Sequence, residues 1–233
     1  MTGFFSKKEL EENTKIRYSE GDTTNCNKCG LYRISNSPRM KCTGKGNKNC
    51  FSFAEASGPD EDRLGVQLIG KTGQWYRDKL LLIGLDLDRD FWKANSVNCF
   101  PNVKGEFRKP QNNEVKLCRS YLESMIDKCK PSHIWVMGEM AAYSFLGDDF
   151  DNTDISRWRG LCIPDKKYTA WVSFFYHPSH PMREEQDENL QALYMRDLEL
   201  GKRNLSKTPF THNDYEKDVI LLKNIDEITA MLL

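Results

Sequence analysis

Apolar residues along the chain gather into short runs, separated by segments that repeat with the period of a helix. Cys50–Ala54 (CFSFA), Phe91–Cys99, His133–Met137 (HIWVM) and Ala170–Phe175 (AWVSFF) have strand length and end at turn residues or Pro. Gly73–Gly84 reads as a helix closed by its glycine. Asn113–Cys129 is the clearest helix: Val115, Cys118, Leu122, Met125, Ile126 and Cys129 form one stripe, and Pro131 ends it. Gly138-Glu139 opens a helix through Phe145, stopped by Gly147, and Glu184–Gly201 is again amphipathic. Helices alternating with centrally apolar strands predict an α/β fold, a three-layer α/β/α sandwich around a short four-stranded parallel sheet. Ser6–Glu12 could form a short helix, Asp218–Lys223 a strand and Asp226–Leu233 the start of a helix. This divides the chain into an N-terminal extension (1–25), a main domain (26–203) and a C-terminal extension (204–233). The last of these either packs on the core or opens a further α/β unit.

Composition narrows the function. Lys plus Arg and Asp plus Glu both number 34, so a uniformly basic nucleic-acid coat is excluded while a local basic groove is not. Aromatic residues make up 11%, against the composition of a disordered chain. No window approaches the ~18 apolar residues of a membrane span, and the first residues hold no apolar signal core. A monomer in a bacterial or virus-host cytoplasm, away from membranes, is the expectation. Residues 26–48 carry Lys28, Arg33, Arg39, Lys41, Lys45 and Lys48 with no acidic residue. Such a run is either a solvated face or the wall of a phosphate-lined groove.

There are eight cysteines. In a chain without an export signal, Cys26-x-x-Cys29 reads as metal binding or redox rather than disulfide. Four polar clusters follow strand ends: Glu55–Glu61, Asn95–Asn98, Gly138-Glu139 and His177–Ser179. In parallel α/β sheets ligands bind beyond the carboxyl ends of the strands, so these clusters mark the candidate site.

Taken in order, Cys26-x-x-Cys29-x-Leu31, Glu55-Ala56-Ser57-Gly58 with Glu61, Gly65–Gly73, Asn95-x-x-x-Cys99, Cys118 and His177-Pro178-Ser179 resemble the family 4 (iron–sulfur) uracil-DNA glycosylases over about residues 26–183. The family's Gly-Glu-Ala-Pro-Gly motif stands here as Ala54-Glu55-Ala56-Ser57-Gly58, and its Gly-Arg-Pro-Phe-Val-Gly as Gly65-Val66-Gln67-Leu68-Ile69-Gly70. Its asparagine motif stands as Ala94–Cys99, its Ala-Leu-Gly as Val136-Met137-Gly138, and its Leu-Arg-Gly as Trp158-Arg159-Gly160.

The resemblance implies a DNA glycosylase that flips a pyrimidine out of DNA, hydrolyses its N-glycosidic bond and leaves an abasic site, in base excision repair or antiviral defence. The residue chemistry agrees. Asn95 offers an amide donor and acceptor to a pyrimidine edge. His177 can hydrogen-bond the oxygen on which charge develops, and Glu61 is the candidate for orienting water or for walling the ring. Glu55, Ala56 and Leu68 form the base pocket, Glu55-Ala56 through their backbone. Ser179 with Pro181-Met182 would grip a phosphate and wedge the stack, and Arg183 would hold the DNA backbone. No Lys occupies a motif position, so the enzyme is expected to be monofunctional. Leu68 replaces the family's stacking Phe, and Val66-Gln67 its Arg-Pro, which points to a pocket that takes a pyrimidine larger than uracil, such as a modified viral base. A non-catalytic DNA-binding module with a decayed pocket is the alternative.

The resemblance also assigns Cys26, Cys29, Cys99 and Cys118 to a 4Fe–4S cluster. The rival is zinc, held by Cys26, Cys29, Cys42 and Cys50. A third reading leaves Cys118 and Cys129 as plain core residues.

Overall fold

The computed structural model describes residues 21–147 and 153–211. In chain order the elements are α1 (Cys26–Cys29), a 3₁₀ turn at Leu31–Arg33, β1 (Cys50–Ala56), α2 (Pro59–Leu64), α3 (Lys71–Leu82), α4 (Leu87–Asp90) and β2 (Phe91–Val97). They continue with β3 (Asn102–Val103), β4 (Glu106–Phe107), α5 (Asn112–Cys129), β5 (His133–Met137), α6 (Glu139–Leu146) and α7 (Ile155–Trp158), then β6 (Cys162–Asp165), β7 (Ala170–Phe175), α8 (Ser179–Arg183) and α9 (Glu188–Asn204).

The main sheet has the order β2-β1-β5-β7-β6. The expected strands β2, β1, β5 and β7 are parallel, with Ala54 beside Asn95 and Met137 beside Phe175. The fifth strand, β6, is antiparallel to β7 and was not expected. Its sequence, CIPD, has no apolar run, and Pro164 suits only an edge. The acidic residues that follow the Glu55–Gly58 segment lie in a helix, α2, with Pro59 in its first turn. The β3–β4 hairpin and α8 also escaped the sequence reading. Ser6–Glu12, Asp218–Lys223 and Asp226–Leu233 lie outside the described residues.

Side chains alternate along the parallel strands, so each face of the sheet acquires its own core. Phe51, Phe53, Ile134, Val136, Val172 and Phe174 face Leu122, Met125 and Ile126 of α5 and Ala141 and Ala142 of α6. On the other face, Cys50, Trp135, Met137 and Phe175 meet Tyr76 and Leu80 of α3 and Tyr194 and Leu198 of α9. At ~1.5–3 kcal/mol for each large side chain buried, these two layers fix which rim the strand ends occupy.

A charged network runs beneath the second layer. Lys93 of β2 is fully buried and pairs with Asp88, which Arg77 also grips at 2.9 Å. Burial alone would raise the Asp88 carboxyl, but Lys93 and Arg77 outweigh it and hold it well below the usual range.

Candidate functional site

Four strand ends share the carboxyl rim of the sheet: the end of β1 (Glu55), the end of β2 and the turn beyond it (Asn95 to Cys99), the residue after β5 (Gly138) and the segment after β7 (His177). Neighbouring strands lie about 4.8 Å apart, so the outermost two backbones are separated by about 14 Å. Side chains reaching inward from both would leave room on the order of one pyrimidine ring.

Asn95 is buried at the end of β2. Its Nδ2 donates to Ser57 Oγ at 3.3 Å, while its Oδ1 is buried with no partner. An unpaired buried acceptor costs ~1–3 kcal/mol, so it marks a place where a donor belongs. Asn98 braces it: the Asn95 backbone N–H donates to Asn98 Oδ1 at 3.1 Å, and Asn98 Nδ2 donates to the Asn95 carbonyl at 2.7 Å. Ser57 and Asn98, which the sequence placed in the strand-end clusters without a role, are thus the groups that aim the Asn95 amide.

His177 is half-buried directly after β7. Its Nδ1 lies 2.7 Å from Ser179 Oγ and accepts from the Ser179 backbone N–H at 3.2 Å. A backbone N–H can only donate, so the neutral ring carries its proton on Nε2. Burial, and secondarily the Arg183 charge, push the imidazole down to about 4. The group is therefore a neutral donor at physiological pH. Gly138, at φ +92°, lies beneath it, and a Cβ there would come within 2.8 Å of His177 Cβ. That contact explains a glycine at this strand end.

Ser179 does not stand free to grip a phosphate, as expected from sequence. Its hydroxyl holds His177 and accepts from Arg183 Nη1 at 3.1 Å. Arg183 is exposed and Met182 half-buried on α8, whereas Pro181 is buried and its carbonyl accepts from Gln191 at 2.6 Å. Pro181 thus belongs to the packing between α8 and α9 rather than to a wedge.

Glu61 has a different task from the one expected. Its Oε1 accepts from the backbone N–H groups of Ile69 and Gly70 at 3.0 and 2.8 Å, and its Oε2 accepts from Gly58 at 3.1 Å. With three donors on one carboxylate, it fastens the 65–70 loop to the start of α2 and has little capacity left to orient water. Glu55 accepts no hydrogen bond from any described residue. Burial raises its carboxyl, Glu139 adds to this, and Lys109 and Arg183 oppose it. Ala56 turns its side chain to the opposite side, against Val97 and Cys99.

Leu68 sits at φ +54° in the second core layer beside Ala54, with its carbonyl held by Arg77 Nη1. A Cβ at Gly73 would strike the Leu68 carbonyl oxygen at 1.8 Å, so that glycine lets α3 pass under the loop. Leu68 thus forms a packed wall. A cleft of about 380 Å³ lined by Arg39, Met40, Thr43 and Gly65 abuts this region. Met40 Sδ lies 3.8 Å from Ser57 Oγ.

On the other side of β1 and β2, Cys29 and Cys118 pack against Leu31, Val97, Cys99, Val115 and Met140. Burial pushes the Cys118 thiol up to about 12, and Cys99, Cys29 and Cys26 add to the rise. Burial likewise pushes Cys99 up to about 11, with Cys29 and Cys26 adding to it. The four sulfurs therefore share one neighbourhood. Backbone N–H groups favour the anionic form of three of them: Arg39 at 3.3 Å from Cys99 Sγ, Leu31 for Cys29 and Asn98 for Cys118. Four thiols in one neighbourhood, three of them with an N–H donor aimed at the sulfur, fit a polynuclear iron–sulfur group, whose ligands bind separate irons. Among the described residues, no three His, Cys, Asp or Glu side chains converge on a single-ion site.

The alternative zinc set does not assemble. Cys42 and Cys50 are fully buried on opposite faces of the sheet, and Cys42 Sγ lies 4.0 Å from Cys129 Sγ. The basic stretch divides too: Lys28, Arg33, Lys45 and Lys48 are exposed, while Arg39 lies over the Tyr32 ring at 4.4 Å.

Residues 43–199 match the family model described as the uracil DNA glycosylase superfamily. The chain is 28% identical to a type-4 uracil-DNA glycosylase of Archaeoglobus fulgidus over 178 residues, 72% of this chain and 86% of the relative. It is 25% identical to one from Sulfurisphaera tokodaii over 192 residues, 81% and 83% of the two chains. A third, from Saccharolobus solfataricus, is 26% identical over 196 residues, 82% and 86% of the two.

Proposed function

The chain belongs to the uracil DNA glycosylase superfamily, and from that premise we propose that it is a monofunctional DNA glycosylase that excises uracil from DNA. The observation that carries this reading is the pairing of an orphaned acceptor, Asn95 Oδ1, with a neutral histidine whose Nδ1 is occupied, on the same rim. A flipped uracil offers N3–H to the first, and its O2 accepts from Nε2–H of the second. As the bond between N1 and C1′ breaks, its electron pair passes into the base, and the His177 donor stabilises the charge on O2 without giving up its proton. A water then bonds to C1′ and yields a proton to the Glu55 carboxylate, the acidic group at this rim with unused acceptor capacity. Glu61 keeps the Leu68 wall in place. The departed base anion takes its proton from solvent.

Cys26, Cys29, Cys99 and Cys118 would hold a 4Fe–4S cluster, which when bound ties α1, the end of β2 and α5 into one body. These cysteines lie on the side of β1 and β2 away from Leu68, which supports a structural role.

The test is alkali cleavage of duplex and single-stranded DNA carrying one uracil. Asn95→Ala and His177→Ala should each lower the rate by at least ~100-fold while DNA binding persists. Asn95→Ala removes an unpaired buried acceptor together with the hydrogen bond to Ser57, so its effect on Tm should be small beside its effect on rate. Unchanged excision in either variant would refute the assignment, and absent excision in the iron-loaded wild type would favour a binding module. Leu68 gives a reason to add a second substrate: lacking an aromatic face, the wall should tolerate C5-substituted pyrimidines. Equal loss of those substrates in the wild type and in Leu68→Phe would remove that reading.

A further inference from the structure

Immediately beyond Cys99 the chain makes a small hairpin that the proposed reaction does not use. Asn102 pairs with Phe107 and Val103 with Glu106 across a two-residue turn, Lys104-Gly105. Both turn residues have positive φ, +53° and +86°, the type I′ geometry whose first position favours Asn. A lysine there holds a strained backbone conformation. Its ammonium meets no partner among the described residues, so no contact with them offsets the strain.

The base of the hairpin is anchored firmly. Arg108 N–H donates to the Pro101 carbonyl at 3.0 Å, and the Arg108 guanidinium forks onto Glu114 of α5 at 2.7 and 2.5 Å. Asn102 Nδ2 reaches the carbonyl of Ile34 at 3.4 Å, joining the hairpin to the turn after α1. Phe107 lies nearly parallel to Phe100, 6.4 Å between centroids, yet is 49% exposed, and Ile34 nearby is 54% exposed. Arg33 adds a second exposed cation beside Ile34. Val103 and Glu106 share the opposite face of the ribbon.

The hairpin is also tied to the candidate site through the residues on either side of it. It begins four residues after the Asn95–Asn98 brace ends, and it leads into Lys109. Lys109 pairs with Glu139 at 3.4 Å, next to the Gly138 that supports His177, and its charge is felt by Glu55.

We propose that the β3–β4 hairpin is a DNA-contacting finger, in which Phe107 stacks on an exposed base beside the flipped nucleotide and Lys104 meets a backbone phosphate. This inference rests on the glycosylase reading and adds the element that holds the strand open. An aromatic face backed by a second ring suits any base, and a cation at a strained tip suits a polyanion. An uncharged apolar protein partner would desolvate the Lys104 ammonium without pairing it.

The test uses the iron-loaded full chain with fluorescence anisotropy on single-stranded and duplex DNA bearing a tetrahydrofuran abasic analogue, alongside uracil excision. Phe107→Ala should weaken binding by ~10-fold, more on single strands than on duplex. Lys104→Asn suits the turn, so it should keep or raise Tm while lowering the slope of log K against log salt by about one. If the wild type binds and excises uracil but neither variant changes affinity or slope, the finger is refuted and the glycosylase reading stands. If the wild type does neither, that reading fails and takes the finger with it. Altered self-association by light scattering, with DNA affinity untouched, would make this patch a protein interface and overturn the proposal.

Discussion

Replacing His177 by Asn should abolish a specific part of the protein's acid sensitivity. The imidazole sits at about 4 in the fold against 6.5 in an ordinary setting, because burial and the Arg183 charge disfavour its cation. As pH falls, the unfolded chain therefore takes up this proton first. Stability from this group is complete above pH 6.5, declines as pH falls from 6.5 to 4, and is level below that. At pH 5.0 the group has crossed 1.5 units of that window, which at ~1.36 kcal/mol per unit is at most about 2 kcal/mol. Urea unfolding of the wild type and His177→Asn at pH 7.5 and 5.0 isolates this quantity, since every other titrating group is common to both. The wild type should lose up to about 2 kcal/mol more than the variant across the interval. Equal losses would mean that His177 titrates normally, and the argument for a neutral Nε2–H donor would fall with it.

Five other substitutions probe the site and the scaffold around it. Gly138→Ala places a methyl 2.8 Å from His177 Cβ at φ +92°, and should cost ~1–2 kcal/mol and lower kcat more than it raises KM, measured by unfolding and excision kinetics. Glu61→Ala strands the N–H donors of Gly58, Ile69 and Gly70 and should destabilise by ~2–3 kcal/mol. In Glu61→Gln, excision should keep its pH profile while Glu55→Gln changes it, because only the latter is assigned contact with water. Cys118→Ser should abolish visible iron–sulfur absorbance and lower Tm; full colour and wild-type iron content in this variant would remove Cys118 from the ligand set.

The four parallel strands and the main helices were legible because their signals are local. An apolar run such as His133–Met137 and the α5 stripe depend only on neighbours in the chain. The strand CIPD carries no such pattern, and it is a strand because β7 offers an edge. The β3–β4 hairpin is hidden for a related reason: its turn uses Lys where the sequence signal would be Asn. Asn95 and His177 could be named from motif order, since a strand-end amide and a His-Pro-Ser step recur with their chemistry.

Their electrical and hydrogen-bonding states could not be named that way. Whether His177 is neutral depends on burial and on a backbone N–H that α8 supplies only once folded. Glu55 and Glu61 are equivalent as letters six positions apart, yet the 65–70 loop brings N–H donors to one and leaves the other unfilled. Cys42 and Cys50 looked like partners along the chain, but the loop before β1 packs Cys42 into one core layer while β1 turns Cys50 into the other, and Cys99 and Cys118 come to Cys29 across the fold. Sequence thus determined which groups were available and where secondary structure would begin. Only tertiary structure decided which of them meet, because contact, burial and charge depend on distances between segments that the chain order does not encode.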